Sequence, residues 1–271
     1  MRLGISSYTF VWAAGVPGYE LPRAPLTHEQ LLRRAVDLGV KVVQIADNMP
    51  LERLSAREID RLARLAGELG LSLEVGTCGF DPSHLLNHLE LAARLGSPIL
   101  RVVMDQEGVH VTGDQAVGVL KQVLPAFQEK QVGLAIENHD RLSARTLAQV
   151  IERAGGRGVG ICLDTANSLG CGEDVWTVFR TLSPWILNVH VKDFVARRHP
   201  HNKGFVIDGC PAGQGVLEIP ELIASLQRSP NDPNVILELW PAPEATIDAS
   251  IAKEEAWTRQ SIRFLRNYVL E

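Results

Sequence analysis

The sequence predicts an α/β fold, a single (β/α)₈ barrel spanning residues 1–271. Three observations lead there. Short apolar runs alternate eight times with helix-like segments, with no break in composition, and alternating β and α elements imply a parallel sheet. The 271 residues match the roughly 250 typical of a closed barrel of this kind. No GxGxxG follows the first strand, so the structural runner-up, a doubly wound open sheet, gains no dinucleotide-binding signature.

The first apolar run is Leu3-Gly4-Ile5-Ser6. Thr27, with Gln30 three residues on, forms a capping box that opens a helix before the second run, Val42 to Ala46. Ser55 and Glu58 open the next helix in the same way, Gly70 closes it, and Leu71 to Gly76 is the third run. Asp81-Pro82-Ser83 starts a helix that ends near Gly96, ahead of Ile99 to Val103. A long helix from Asp114 to Lys130 leads to Leu134 to Glu137, and Ser143 begins a helix that Gly155-Gly156 ends. The runs at Val159 and Ile186 follow. Val195 to Gly215 reads as an irregular inserted loop over the C-terminal mouth of the barrel. Val235 to Leu239 is the last strand, and an amphipathic helix from Ala252 to Leu270 finishes the chain.

At 45% hydrophobic residues the chain can bury a large core, and 27 basic against 32 acidic residues leave a net charge of −5. That balance argues against a nucleic-acid or anionic-membrane partner attracted by bulk charge. The four cysteines, Cys78, Cys162, Cys171 and Cys210, show no CxxC spacing, which favours a reducing compartment. No long apolar segment marks a signal peptide or a membrane span. The expectation is a soluble, cytoplasmic protein.

Side chains alternate faces along a strand, and parity sharpens the functional reading. In the late strands Leu134 and Ile136, Ile161 and Leu163, and Val189 and Val191 form apolar faces that should meet the helices. The opposite faces carry Glu137, Asp164, His190, Lys192 and Glu238. Ser6, Gln44, Glu74 and Arg101 share that inward parity, and Glu74 is expected to pair with Arg101 inside the barrel. An interior filled only for packing would hold branched aliphatics instead.

Glu137, Asp164, His190 and Glu238 fall at the C-terminal ends of four consecutive strands, where barrels of this class place their chemistry. Three carboxylates packed together repel one another, and a divalent cation removes that cost. One imidazole with carboxylate oxygens suits Mn²⁺, Mg²⁺, Co²⁺ or Zn²⁺. The reading without a metal is a salt-bridged cluster using Arg101, Lys192 or the histidines near position 200.

Ile136-Glu137-Asn138, Leu163-Asp164-Thr165, His190-Val191-Lys192-Asp193 and Leu237-Glu238-Leu239 resemble the motifs of the xylose-isomerase-like TIM-barrel superfamily. Gly213-Gln214-Gly215 resembles its Gly-Glu-Gly segment, with Gln in place of Glu. The superfamily includes sugar isomerases and epimerases, inosose dehydratases and endonuclease IV. The resemblance to the ketose 3-epimerases implies one divalent metal held by Glu137, Asp164, His190 and Glu238, with Glu137 and Glu238 as the acid/base pair. Two positions depart from that pattern: Asn167 stands where a histidine is usual, and Ala196 where an arginine is usual. Candidate substrate contacts are Arg101, His139, Arg141, Asn167, Lys192, Arg197 and His201, with Trp12 and Trp240 as walls for a sugar's apolar face.

The leading expectation is a metal-dependent isomerase or epimerase of a sugar, keto-sugar or polyol acting through an enediolate. The alternative is a lyase on the same site, a decarboxylase of the 3-oxo-isoapionate type, for which Lys192, Arg197, Arg198, His199 and His201 would suit a substrate carboxylate. An endonuclease of the superfamily would need extra strand-end histidines that are not filled here. A binding protein that kept the barrel and lost the reaction fits poorly with intact Glu137 and Glu238. The expected partner is a small-molecule carbohydrate, and a homo-oligomer stays open.

Overall fold

An apolar face on every strand must be covered, and helices supply the cover. The computed structural model describes residues 1–106, 108–229 and 231–269. The barrel strands are β1 (Leu3–Ser6), β2 (Val42–Ile45), β3 (Ser72–Cys78), β4 (Ile99–Val103), β5 (Gly133–Glu137), β6 (Val159–Asp164) and β7 (Ile186–Val191). After an inserted hairpin, β8 (Asp193–Arg198) and β9 (Phe205–Cys210), comes β10 (Asn234–Leu237). All eight barrel strands run parallel, and β10 closes the circle by pairing with β7 and β1. Around them lie α1 (Val11–Ala14), α2 (His28–Leu38), α3 (Ala56–Glu68), α4 (Pro82–Leu95), α5 (Gly113–Lys130), α6 (Ala144–Ala154), α7 (Val175–Leu182), α8 (Ile219–Leu226) and α9 (Ile247–Leu265). Among the described residues no helix is long and apolar enough to cross a membrane.

Local signals place most of these boundaries. Thr27 with Gln30 and Ser55 with Glu58 close the expected capping boxes, and Thr112 with Gln115 adds a third. Each such cap is worth about 1 kcal/mol. Gly96 and Gly155 end α4 and α6 in the left-handed conformation that glycine adopts without strain. The last helix begins earlier than its apolar pattern indicates, because Thr246 caps it through the Ala249 N–H. It ends at Leu265, and the expected terminus at Leu270 lies outside the described residues.

The segment read as an irregular loop is an ordered antiparallel ribbon. Asp193 pairs with Cys210 at one end and Arg198 with Phe205 at the other. Its outer part is solvated, with Phe205 66% exposed, so no buried periodicity marked it in the sequence. Its base is fastened at the rim of the mouth: Trp240 Nε1 donates to the Asp193 carbonyl, and Gly209 approaches the Trp240 ring too closely for a Cβ. The next turn depends on glycine too. The Gly213 and Gly215 N–H groups both donate to Asp193 Oδ2 at 2.9 Å, and a Cβ on Gly215 would overlap that carboxylate.

A second segment at the mouth hangs on one buried acid. Glu254 on α9 accepts the N–H groups of Trp12 and Ala13 at 2.8 and 3.2 Å, tying down α1. Burial pushes its carboxyl up to about 8 against the pull of those N–H groups. A carboxyl whose pKa is raised on folding destabilises the fold as the pH rises from its unfolded value to its folded one. The unfolding free energy of the parent relative to Glu254→Gln should therefore fall by about 1.4 kcal/mol per pH unit over that window, and level off above about pH 8. Denaturant titrations from pH 5 to 9 measure it.

Candidate metal centre and substrate clefts

Parallel register brings the four strand-end residues together. Glu137 is the last residue of β5, Asp164 the last of β6, His190 the next to last of β7, and Glu238 follows β10. Asp164 pairs with His190 across β6–β7, and His190 with Ile236 across β7–β10. All four are buried. His190 Nδ1 lies 3.2 Å from Glu137 Oε2, 3.4 Å from Glu238 Oε1 and 3.8 Å from Asp164 Oδ2. The ligand atoms of Asp164, His190 and Glu238 all lie within 4.8 Å of one another.

The remaining atoms of these side chains are already held. Asp164 Oδ1 accepts the Ala166 and Asn167 N–H groups, both at 2.8 Å, which turns Oδ2 to the centre. Glu137 Oε1 accepts from Asn167 Nδ2 at 2.7 Å, and Oε2 receives the Arg101 guanidinium. His190 Nε2 faces Gln44 Oε1 at 2.8 Å. Arg101 has Gly76 as its strand neighbour, where a Cβ would stand 3.2 Å from Ala46 Cβ and 3.3 Å from Arg101 Cδ, a tight approach to both.

The fit to a cation rests on unpartnered atoms. Among the described residues, Asp164 Oδ2, His190 Nδ1 and both Glu238 oxygens are buried without an aligned hydrogen bond, and the other such atom is Arg34 Nη1. Buried polar groups are rarely left so. Lys192 Nζ stands 2.8 Å from Asp164 Oδ2 and 2.9 Å from Glu238 Oε2, close in charge but off the hydrogen-bond directions. Burial raises the Glu137 carboxyl, yet Arg101 and His190 override it and hold it well below the usual range. Glu238 is lowered as well, with His190 and Lys192 outweighing burial. Burial opposes the Lys192 charge, but Asp164 and Glu238 hold the ammonium well above its ordinary value. Oxygen donors with one imidazole nitrogen suit Mn²⁺, Mg²⁺, Co²⁺ or Zn²⁺.

Two clefts meet above this centre. A polar one of about 580 Å³ is lined by Arg101, Asp105, His139, Arg141, Asn167 and Glu238, among others. A more apolar one of about 780 Å³ is walled by Trp12, Tyr19, Leu239 and Trp240. Tyr8, Asp47 and Lys192 line both. Tyr8 Oη donates to Asp47 Oδ2 at 2.7 Å, and Arg101 Nη1 reaches Asp47 Oδ1 at 3.2 Å. Sequence reasoning missed Tyr8 and Asp47, although each lies two residues past a strand end.

The candidate contacts divide accordingly. Arg101, His139, Asn167, Lys192 and Trp240 line the clefts. Arg141 is held by Asp105 through two 2.6 Å hydrogen bonds. Arg197 and His201 are not brought to the centre: Arg197 pairs with Asp208 across the hairpin at 2.6 Å, and His201 sits exposed near its tip, stacked on His199. Among the described residues, none from 193 to 210 lines either cleft. Glu74 and Arg101 do not pair with each other. Arg101 is drawn up to Glu137 and Asp47, while Glu74 is taken by Gln44, Asn188 and Asn234.

Residues 32–268 match the model of the xylose isomerase-like TIM barrel family. The chain belongs to that family. It is 31% identical over 267 residues to the 3-oxo-isoapionate decarboxylase of Pectobacterium atrosepticum, covering 98% of this chain and 95% of that protein. A crystal structure of D-psicose 3-epimerase in the presence of D-fructose superposes with a TM-score of 0.75 at 16% identity, covering 99% of each chain. The IOLI protein, crystallised with a zinc atom, superposes at 0.70 and 16% identity over the whole of both chains. At such identities the structural likeness is one of fold.

Replacing Asp164 with Asn removes one charge and the oxygen aimed at the centre. Mn²⁺ affinity measured by calorimetry should drop by more than the ~10–100-fold that loss of an outer-shell partner costs. Parent-like affinity in D164N would remove Asp164 from the ligand set.

Proposed function

We propose that this protein is a divalent-metal-dependent decarboxylase of a 3-oxo sugar acid. The observation that carries the reading is the pair of cations set into the carboxylate cluster, Arg101 on Glu137 and Lys192 against Asp164 and Glu238. The full-length likeness to a decarboxylase of such an acid supports it. A two-base epimerisation asks Glu137 to take or return a proton. A carboxylate held by Arg101 and Asn167, with its pKa well below the usual range, is a weak base.

A divalent cation among Glu137, Asp164, His190 and Glu238 would supply Lewis-acid stabilisation of the negative charge that develops on the 3-oxo oxygen. Lys192 stays charged at neutral pH and faces both clefts, so it suits a substrate carboxylate. With Asp164 and Glu238 engaged in holding that cation, the Lys192 ammonium would be released to turn to the substrate carboxylate. The bond between C2 and the carboxylate carbon breaks, CO₂ leaves, and the electron pair passes into the enolate before C2 takes up a proton from solvent water. Asp47 and Tyr8 offer an acceptor and a hydroxyl to the substrate's own hydroxyls.

Isomerisation or epimerisation is the second reading, favoured by one feature: Glu137 and Glu238 both approach His190 Nδ1 and so face a common point. The two readings separate cleanly. With Mn²⁺ or Mg²⁺, the protein should release CO₂ from a 3-oxo sugar acid and leave neutral ketoses unchanged. Lys192→Met should cut that turnover about 100-fold or more, the scale of one well-placed electrostatic group, with metal content unchanged. Solvent deuterium entering a neutral ketose, with no CO₂ from any sugar acid, would overturn the proposal.

A further inference from the structure

We infer that Gln44 and Glu74, below the carboxylate cluster, are positioning residues for His190: they hold its imidazole as the Nε2–H tautomer and leave Nδ1 as the ligand atom. The inference rests on the metal centre of the proposed function and not on its substrate.

Gln44 comes from β2, Glu74 from β3 and Asn188 from β7, and all three are buried on the inward face. A layer filled for packing alone would use branched aliphatics. These three make a hydrogen-bonded network whose direction can be worked out. Gln44 Nε2 lies 3.1 Å from Glu74 Oε2 and 3.3 Å from Asn188 Oδ1. Reversing the Gln44 amide would set its oxygen against two oxygens. Asn188 is held the same way, because its Oδ1 accepts from the Cys162 thiol at 3.3 Å and its Nδ2 donates to Glu74 Oε2 at 2.7 Å. Asn234 Nδ2 donates to Glu74 Oε1 at 2.7 Å. The buried carboxyl thus serves as the acceptor on which the amides converge, which sets the sense of every bond above it.

At the top of this network, Gln44 can offer His190 only an oxygen, at 2.8 Å from Nε2. An amide oxygen accepts and cannot donate, so Nε2 must carry hydrogen. In the neutral ring Nδ1 then has its lone pair free, and it points at Glu137, Asp164 and Glu238. A ligand histidine is commonly oriented through its second nitrogen. Here the orienting group is a side-chain amide on another strand, itself oriented by a carboxyl on a third.

The test uses the whole protein labelled with ¹⁵N-histidine and loaded with Zn²⁺ or ¹¹³Cd²⁺. In the parent, His190 should show one protonated ring nitrogen, Nε2, and ¹¹³Cd coupling to Nδ1. Gln44→Met keeps length and loses the acceptor, so Zn²⁺ affinity by calorimetry should fall about 10–100-fold and the single-tautomer signature should be lost. Coordination through Nε2 in the parent, or parent-like affinity and spectrum in Gln44→Met, would overturn the inference and leave the metal centre standing. A folded parent that binds neither ion would overturn both. The parent spectrum decides the tautomer whether or not Gln44→Met folds.

Discussion

Three carboxylates and an imidazole converge, buried, beneath the C-terminal mouth of the barrel, and the charge they bring has to be answered. Burying a single unpaired ion costs several kcal/mol even after relaxation. Arg101 and Lys192 answer part of that charge directly, by ion pairs to Glu137, Asp164 and Glu238. Two cations against three acids leave one negative charge over, and Glu238 and Glu137 raise the pKa of the His190 imidazole beside them against the effect of burial. The atoms that lack an aligned hydrogen bond, Asp164 Oδ2, His190 Nδ1 and the Glu238 oxygens, are those a divalent ion would take. Gly76 is part of the same solution, since a side chain there would crowd the Arg101 guanidinium arm.

The interior is built in layers around that charge. The lower layer of Gln44, Glu74 and Asn188 is polar and buried, with half-buried Asn234 bonded to its edge. Such a layer contributes less to stability than aliphatics would, and it gives His190 a defined hydrogen-bond partner in return. Above the acids, two clefts of different polarity share Tyr8, Asp47 and Lys192. The barrel itself does not choose a reaction, since one fold can host unrelated chemistries. In this chain the acids are met by two cations, Arg101 and Lys192, and Asn167 holds Glu137.

The barrel and its strand-end acids were legible because both come from short-range rules. Period-2 alternation separates the helix-facing from the inward side chains, and capping residues mark helix starts such as Thr27 and Ser55. The hairpin was not legible. Arg197-Arg198-His199-Pro200-His201 reads as a solvated loop, and the ribbon's stability comes from cross-strand pairing that leaves no apolar period. The partners of inward polar groups were equally hidden. Glu74 and Arg101 sit on neighbouring strands, yet they point to different layers and choose different partners.

By itself the sequence determined that eight strands present one apolar and one polar face, that the polar face ends in Glu137, Asp164, His190 and Glu238, and hence that a barrel would gather them. Those are consequences of side-chain alternation and of the regular length of a βα unit, which act locally. Only the tertiary structure decided that Arg101 lies on Glu137, that Lys192 enters the acid cluster while Arg197 stays on the hairpin, and that Gln44 sets the face His190 turns inward. Those choices depend on the stagger between strands far apart in sequence and on which buried charge most lacks a partner. Neither quantity is written in any one stretch of the chain.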